Sequence, residues 1–81
     1  MATTVFTIIE HNHDENQVEA FERVYRKREY ALTAVDRRTE DLVEDGYERS
    51  ILDIDGATTE VQFHDGMSLE LTYTITAATL D

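Results

Sequence analysis

The most regular pattern of hydrophobic and polar positions lies in the last third of the chain. Over residues 67–76 the odd-numbered side chains are apolar and the even-numbered ones are polar. Alternation with a period of two is typical of a strand that has one buried face and one wet face. Two Asp-Gly dipeptides, at 55–56 and 65–66, favour hairpin turns before it. The last third therefore predicts an antiparallel meander of three strands. The residues expected to point inward on the last strand are Met67, Leu69, Leu71, Tyr73 and Ile75.

The two turns also predict how these strands pair. A two-residue loop at Asp55-Gly56 places Leu52 opposite Thr59, which keeps the apolar side chains of both strands on one face. The same argument requires a three-residue loop at the second turn, which pairs Phe63 with Met67. Both registers follow from the requirement that one face of the sheet is buried.

The beginning of the chain predicts a further strand over residues 3–10. This segment is rich in β-branched and aromatic residues. Its two alternating sets are both apolar, with Val5 and Ile9 on one face and Phe6 and Ile8 on the other. We expect either an interior strand or an edge strand that a partner covers.

Between residues 14 and 45, apolar side chains recur at the three- and four-residue spacing of one helical face. Asp14 and Asn16 are candidate N-caps, because each is followed three residues later by Gln or Glu. Gly46 is the expected stop. The stripe consists of Val18, Phe21, Val24 or Tyr25, Leu32, Val35, and Leu42 or Val43.

A helix of this length does not fit the sheet that it would cover. It would span roughly 46 Å, whereas the strands would span about 30 Å. We expect it to bend or fray after about residue 36, because Thr33, Asp36 and Thr39 are poor interior helix residues. The alternatives are a strand at 30–35 or a continuous helix that overhangs and pairs with its mate. The seam of such a homodimer would contain Val18, Phe21, Tyr25, Leu32 and Val35.

The fold class that these elements predict is α+β, in the order β-α-β-β-β. One long helix, kinked or overhanging, would pack on a four-stranded, mostly antiparallel sheet. Residues 1–81 are expected to form a single domain, since this length is near the lower limit for one hydrophobic core. With no Cys in the chain, neither disulfides nor thiolate metal sites can add stability.

Charge narrows the range of partners. The chain has 18 Asp and Glu against 7 Lys and Arg, for a net charge of −11. Bare nucleic acid and anionic membranes would repel it, and a basic protein surface would attract it. The composition resembles that of salt-in halophilic archaea and their viruses, and an ordinary acidic bacterial or phage protein is the alternative. Without a leader-like or membrane-spanning run, the expected location is the cytoplasm.

No sequence motif indicates catalysis or a cofactor. There is no Gly-rich phosphate loop and no Cys nucleophile. We therefore expect a protein that is not an enzyme. A metal site at His11, His13 and Asp14 is the remaining chemical hypothesis, because side chains two apart on a strand point the same way. The predicted topology places His64 at the opposite end of the sheet, out of reach of that site.

The basic residues are clustered rather than scattered. Arg23, Arg26, Lys27 and Arg28 are close in sequence, and Arg37 and Arg38 follow. On a helix, Glu19 would pair with Arg23, and Glu22 with Arg26. These pairs explain the cluster as local helix support, so direct nucleic-acid binding is not expected.

Three functions remain open. The leading hypothesis is a small, non-catalytic protein-binding or regulatory module that forms a homodimer. The second is an inhibitor that mimics nucleic acid, of the phage or virus anti-defence type, in which carboxylates imitate phosphates. The third is a small metal- or ligand-binding protein that uses His11 and His13. The acidic interaction surface would comprise Asp36, Glu40, Asp41, Glu44, Asp45, Asp53, Asp55, Glu60 and Glu70.

Overall fold

The computed structural model describes residues 3–80 and confirms the α+β class. The prediction of four strands and one long helix is wrong in detail, because the described chain contains five strands and two short helices in the order β-β-α-α-β-β-β. The elements are β1 Thr3–Asn12, β2 Gln17–Ala20, α1 Arg28–Arg38, α2 Glu40–Glu44, β3 Glu48–Asp55, β4 Thr58–Asp65 and β5 Ser68–Leu80.

All five strands belong to one antiparallel sheet in the order β2-β1-β5-β4-β3. β1 lies between β2 and β5, so the interior-strand prediction is confirmed and its two apolar faces need no partner to cover an edge. Since β1 and β4 both run antiparallel to β5, they run in the same direction. The two edges of the sheet are β2 and β3.

The extra strand β2 occupies the place where the helix was expected to begin. The Asn12 side chain accepts a hydrogen bond from the Glu15 backbone N–H at 3.1 Å. Asn16 has a left-handed backbone with a φ of 53°. Asn and Asp favour such turns as strongly as they favour helix caps. The polar segment 13–16 therefore forms a hairpin, and Val18 lies in a strand opposite His11.

The helical region is shorter than predicted and is broken near the expected position. α1 ends at Arg38, and Thr39 separates it from α2. The Thr39 hydroxyl donates to the Val35 carbonyl at 2.7 Å. Gly46 has a φ of 95°, as expected of a helix stop. The continuous overhanging helix is wrong, and so is the strand at 30–35.

The core lies between α1 and one face of the sheet. Tyr73 occupies its centre, and its ring makes edge-to-face contacts with Phe21 and Phe63 at centroid distances of 6.0 and 5.9 Å. Such pairs add about 0.5–1.5 kcal/mol to the stabilisation from burial. The buried cluster consists of Ile8, Ala31, Val35, Val61, Phe63, Tyr73 and Ile75.

Two bulges change the predicted registers. In β3, an irregularity between Asp53 and Asp55 pairs Leu52 with Glu60, not with Thr59. Ile51, rather than Leu52, therefore shares the helix-facing side with Val61. A shift by one residue exchanges the two faces of a strand, which is why one bulge reverses the prediction for β3.

The second bulge follows the last hairpin. Asp65 pairs with Ser68, and beyond the irregularity Phe63 pairs with Leu71 rather than Met67. The loop therefore has two residues, not three. The inward positions of Leu71, Tyr73 and Ile75 are retained. Met67 lies in the turn and is fully exposed, so its inward placement is wrong, and Leu69 pairs with His64 on the other side of the bulge.

Candidate functional site

Both edge strands of the described sheet are exposed, and β3 is the longer of the two and carries more exposed aliphatic side chains. All eight of its residues are exposed. Ile51, Leu52 and Ile54 retain 46%, 44% and 56% of their accessible surface, and they project from both faces. An exposed, apolar edge with unpaired backbone groups is a template for pairing with another strand.

The helices leave the helix-facing side of β3 open. Arg49 reaches Asp36 of α1 at 2.9 Å, and between the helices and Arg49 lies a recess of about 430 Å³. Val43 of α2 lines this recess and is half exposed. Ile51 thus lies two residues from this ion pair on the same face of β3, and the recess beside the ion pair contains a second exposed apolar side chain.

A partly buried polar network ties α1 to the centre of the sheet. The Tyr73 hydroxyl donates to Glu10 Oε2 at 2.6 Å, and Arg38 Nε donates to the same oxygen at 3.1 Å. Burial, followed by the hydrogen bond and charge of Glu10, raises the pKa of Tyr73 far above its ordinary value. Burial opposes the charge of Arg38, but the attraction of Glu10 outweighs it and raises the pKa of Arg38. The Tyr73 phenol is therefore a structural donor.

Beside this network, on the β1 side of α1, lies an open groove of about 890 Å³. We call it the arginine groove. Arg38 crosses the Phe21 ring with its guanidinium carbon 4.8 Å from the ring centroid. The aromatic and basic residues that line the groove are Phe21, Arg23, Tyr25, Tyr30, Arg37 and Arg38.

The wall opposite α1 is an irregular continuation of β2. Phe21 donates its backbone N–H to Ile8, and Tyr25 pairs with Phe6. Between these two contacts the segment has two residues more than a regular ladder would need. Residues 22–24 therefore loop out, and Arg23 is held at the rim of the arginine groove.

The helical ion pairs expected to explain the basic cluster do not exist. Glu19 lies in β2 and residues 22–24 are irregular, so no helical spacing joins Glu19 to Arg23 or Glu22 to Arg26. Within residues 3–80 the two ion pairs are Arg38 with Glu10 and Arg49 with Asp36. Arg23 and Arg37 thus carry charges that no carboxylate of the described chain neutralises.

The topology brings the three histidines to the same end of the sheet, on the outer face, which is the face opposite the helices. The sequence had predicted that His64 would lie at the other end. His11 pairs with Thr72, and Thr72 pairs with Gln62. His13 lies 2.7 Å from the Thr72 hydroxyl, and His64 lies 3.2 Å from Gln62. The expectation failed because β2 reverses the direction of every later strand. Among residues 3–80, however, no three His, Asp or Glu side chains are grouped to hold a metal ion, and Asp14 lies exposed in the turn.

The predicted acidic surface is divided among three places. Asp36 lies on α1, Glu40, Asp41 and Glu44 on α2, and Asp45 just after it. Asp53 and Asp55 belong to β3. Glu60 lies on the outer face opposite Thr74, and Glu70 lies at the second bulge, so the two do not face each other.

The residues of the predicted dimer seam are likewise separated. Val35 is fully buried, and Phe21, Tyr25 and Leu32 pack against the core of the same subunit. Val18 is exposed on the edge strand β2. The five residues form no continuous helical stripe, because Val18, Phe21 and Tyr25 are not helical.

No protein-family model matches the chain, and no curated protein or solved structure matches it either. Across residues 3–80, neither helix has the length and apolar character that a membrane span requires. The β3 edge and the arginine groove are therefore interpreted from their own geometry. Sequence reasoning missed both, although the apolar run Ile51-Leu52 and the aromatic residues among the arginines were visible signals.

Proposed function

We propose that the protein is a small, non-catalytic protein-binding module that forms a homodimer through β3. The observation that supports this most strongly is the free edge of β3 with Ile51, Leu52 and Ile54 exposed. The dimer would join two five-stranded sheets into one sheet of ten strands. It would act in the cytoplasm, and its acidic exterior would select a further protein partner with a basic surface.

Side-chain chemistry favours one register for the β3–β3 pair. Antiparallel pairing across a two-fold axis requires opposed residues to share a face. Arg49, Ile51 and Asp53 share the helix-facing side, opposite Phe63, Val61 and Thr59. With the axis at Ile51, this residue meets Ile51 of the partner subunit, and Arg49 meets Asp53 of the partner subunit. The register thus joins an apolar centre to two flanking pairs of opposite charge.

Sedimentation equilibrium over a range of protein concentrations tests the dimer. The wild-type chain is expected to be dimeric, and Ile51→Lys is expected to be monomeric because it places two like charges at the axis. Val18→Lys is the matched control, since Val18 is an exposed aliphatic residue on the other edge strand, and it should leave the dimer intact. A wild-type chain that stays monomeric at high concentration would refute the proposal.

A charge exchange tests the register. Arg49→Asp alone would oppose Asp53 of the partner subunit and weaken dimerisation roughly tenfold, on the scale of exposed ion pairs replaced by repulsion. Adding Asp53→Arg restores the opposite charges across the axis and should recover the affinity lost to repulsion, while the ion pair of Arg49 with Asp36 within each subunit stays broken. Failure of the double variant to recover it, with both variants folded by circular dichroism, would exclude this register.

Salt provides an independent test of the same interface. Two copies that each carry a net charge of −11 repel one another. At molar salt the screening length falls to about 3 Å, so the dimer should become tighter as salt rises. Dimerisation that weakens steeply with salt would instead indicate an interface dominated by ion pairs.

A further inference from the structure

Within residues 3–80, the arginine groove gathers part of the positive charge of this acidic chain. Six of its seven basic residues lie between positions 23 and 38. Three arginines line the groove, Arg23, Arg37 and Arg38, and no carboxylate does. Glu10, Glu19 and Glu22 line an adjoining recess of about 350 Å³, which shares Arg23 and Arg38 with the groove. The lining of the groove itself therefore carries only positive charge, and the nearest acidic side chains lie next to it.

Two of these arginines are available to a ligand. Arg38 is held by Glu10, whereas Arg23 and Arg37 are exposed and have no acidic partner in residues 3–80. They enter the groove from different elements, Arg23 from the looped segment after β2 and Arg37 from α1. Guanidinium groups bind phosphate and carboxylate oxygens through paired hydrogen bonds. An anionic group between the two arginines would neutralise both.

Aromatic side chains make up most of the remaining lining, together with Thr33 and Ala34. Tyr30 projects from α1 with about half of its surface exposed, and Tyr25 lines the facing wall. Exposed aromatic faces bind planar rings by stacking, and guanidinium planes do the same. A volume of about 890 Å³ falls within the range of small-molecule sites. The site thus combines ring-stacking surfaces with an anion clamp.

Overall charge decides the size of the ligand. A nucleic-acid strand would extend beyond the groove and meet the surplus carboxylates, while a single small anion would fit within a lining that contains no carboxylate. We propose that the arginine groove binds a nucleoside phosphate, with its base against Tyr30 or Tyr25 and its phosphate between Arg23 and Arg37. This site lies on the opposite side of α1 from Arg49 and β3, so it does not depend on the proposed dimer.

Isothermal titration with adenosine monophosphate at low salt tests the site on the whole chain. Saturable one-to-one binding is expected, with adenosine alone and inorganic phosphate alone each binding at least tenfold more weakly, because each lacks one half of the recognition. No saturable binding of adenosine monophosphate would overturn the proposal. Equal affinity for inorganic phosphate would also overturn it, because the aromatic walls would then contribute nothing.

Substitutions separate the groove from general electrostatics. Arg37→Gln and Arg23→Gln should each weaken binding by about tenfold, the loss expected for a charge-assisted contact. Tyr30→Leu should weaken the binding of adenosine monophosphate but not the binding of inorganic phosphate. Arg26→Gln is the matched control, since Arg26 is exposed, unpaired in the described chain and outside the groove lining.

Two outcomes would count against the proposal at this stage. An equal loss in Arg26→Gln would show that net charge, not the groove, governs binding. Tighter binding of a single-stranded oligonucleotide than of the mononucleotide would contradict the argument from charge. All four substituted side chains are exposed, so circular dichroism should confirm that every variant is folded.

Discussion

The two halves of the sheet differ in how their apolar side chains are covered. On β4 and β5, Val61, Phe63 and Ile75 are fully buried in the hydrophobic core. On β3, next to them in the same sheet, Ile51 pairs with Val61 but remains 46% exposed. The difference does not come from hydrophobicity, since both strands carry aliphatic residues. It comes from the reach of the helix.

The reach of the helix is limited by its length and position. α1 has 11 residues, which corresponds to about 16 Å, and it packs against β1 and β5. α2 has no buried residue. The monomer can therefore complete a core over the centre of the sheet but not over β3. A chain that leaves the apolar edge strand β3 uncovered in this way gains stability when a second copy or another partner pairs with it.

The largest effect is expected from truncating a buried side chain on β4 or β5. Phe63→Ala removes a fully buried ring and should lower the free energy of unfolding by about 3–5 kcal/mol. Chemical denaturation measures this change. Met67→Ala is the control, because Met67 is fully exposed and its loss should alter stability by less than about 0.5 kcal/mol. Similar values for the two variants would mean that the core has been misplaced.

Tyr73→Phe tests the polar network beneath α1. It removes the hydroxyl that donates a hydrogen bond to Glu10. The free energy of unfolding should fall by about 1.5–3 kcal/mol, the range for a hydrogen bond to a charged group. Burial raises the pKa of the Tyr73 hydroxyl in the folded state. The stability that this hydroxyl contributes is therefore complete below its unfolded-state pKa of about 10, and it is lost as the pH rises from there through the folded-state pKa.

The pH dependence gives that prediction a second readout. Denaturation of the wild-type chain should show stability falling above a pH of about 10, and this fall should be shallower in Tyr73→Phe. An unchanged alkaline slope in the variant would show that another group causes the loss.

Thr39→Val tests the break between the two helices. Thr39 is buried, and its hydroxyl donates to Val35. The substitution keeps the volume but removes the bond, so we expect the free energy of unfolding, measured by denaturant unfolding, to fall by about 1 kcal/mol. A gain in stability with increased helicity would show that the hydroxyl maintains the break at the expense of stability.

The smallest effect on stability is expected from a substitution on the exposed edge strand β3. At concentrations where the chain is monomeric, Ile51→Ala should cost less than about 1 kcal/mol, because nearly half of that side chain is already in water. At concentrations where the chain is dimeric, the cost should be larger, and this difference measures the contribution of β3 to the interface. A cost that does not change with concentration would contradict the comparison.

The parts of the fold that the sequence predicts are those with a local cause. The inward positions of Leu71, Tyr73 and Ile75 follow from alternation, and the stop at Gly46 follows from its conformational freedom. The helix break also has a local signal in Thr39. Each depends on residues within a few positions of one another, and composition or spacing is enough to detect it.

The errors share a different cause. Asp14 and Asn16 provide turn chemistry and cap chemistry equally well, and only the pairing of β2 with β1 selects the turn. That choice removed the helical ion pairs from the basic cluster. It also reversed the later strands and brought His64 to the end of the sheet that holds His11. A single local ambiguity thus altered the expected surroundings of three groups of residues.

The sequence by itself determined the α+β class, the strand-forming segments and the acidic surplus, because these follow from periodicity, propensity and charge. Tertiary structure decided which side chains share a face, which arginines are left without partners and which strands form the open edges. The physical reason is that long-range backbone pairing and one-residue bulges set these relations. Their free energy depends on contacts between segments far apart in the chain.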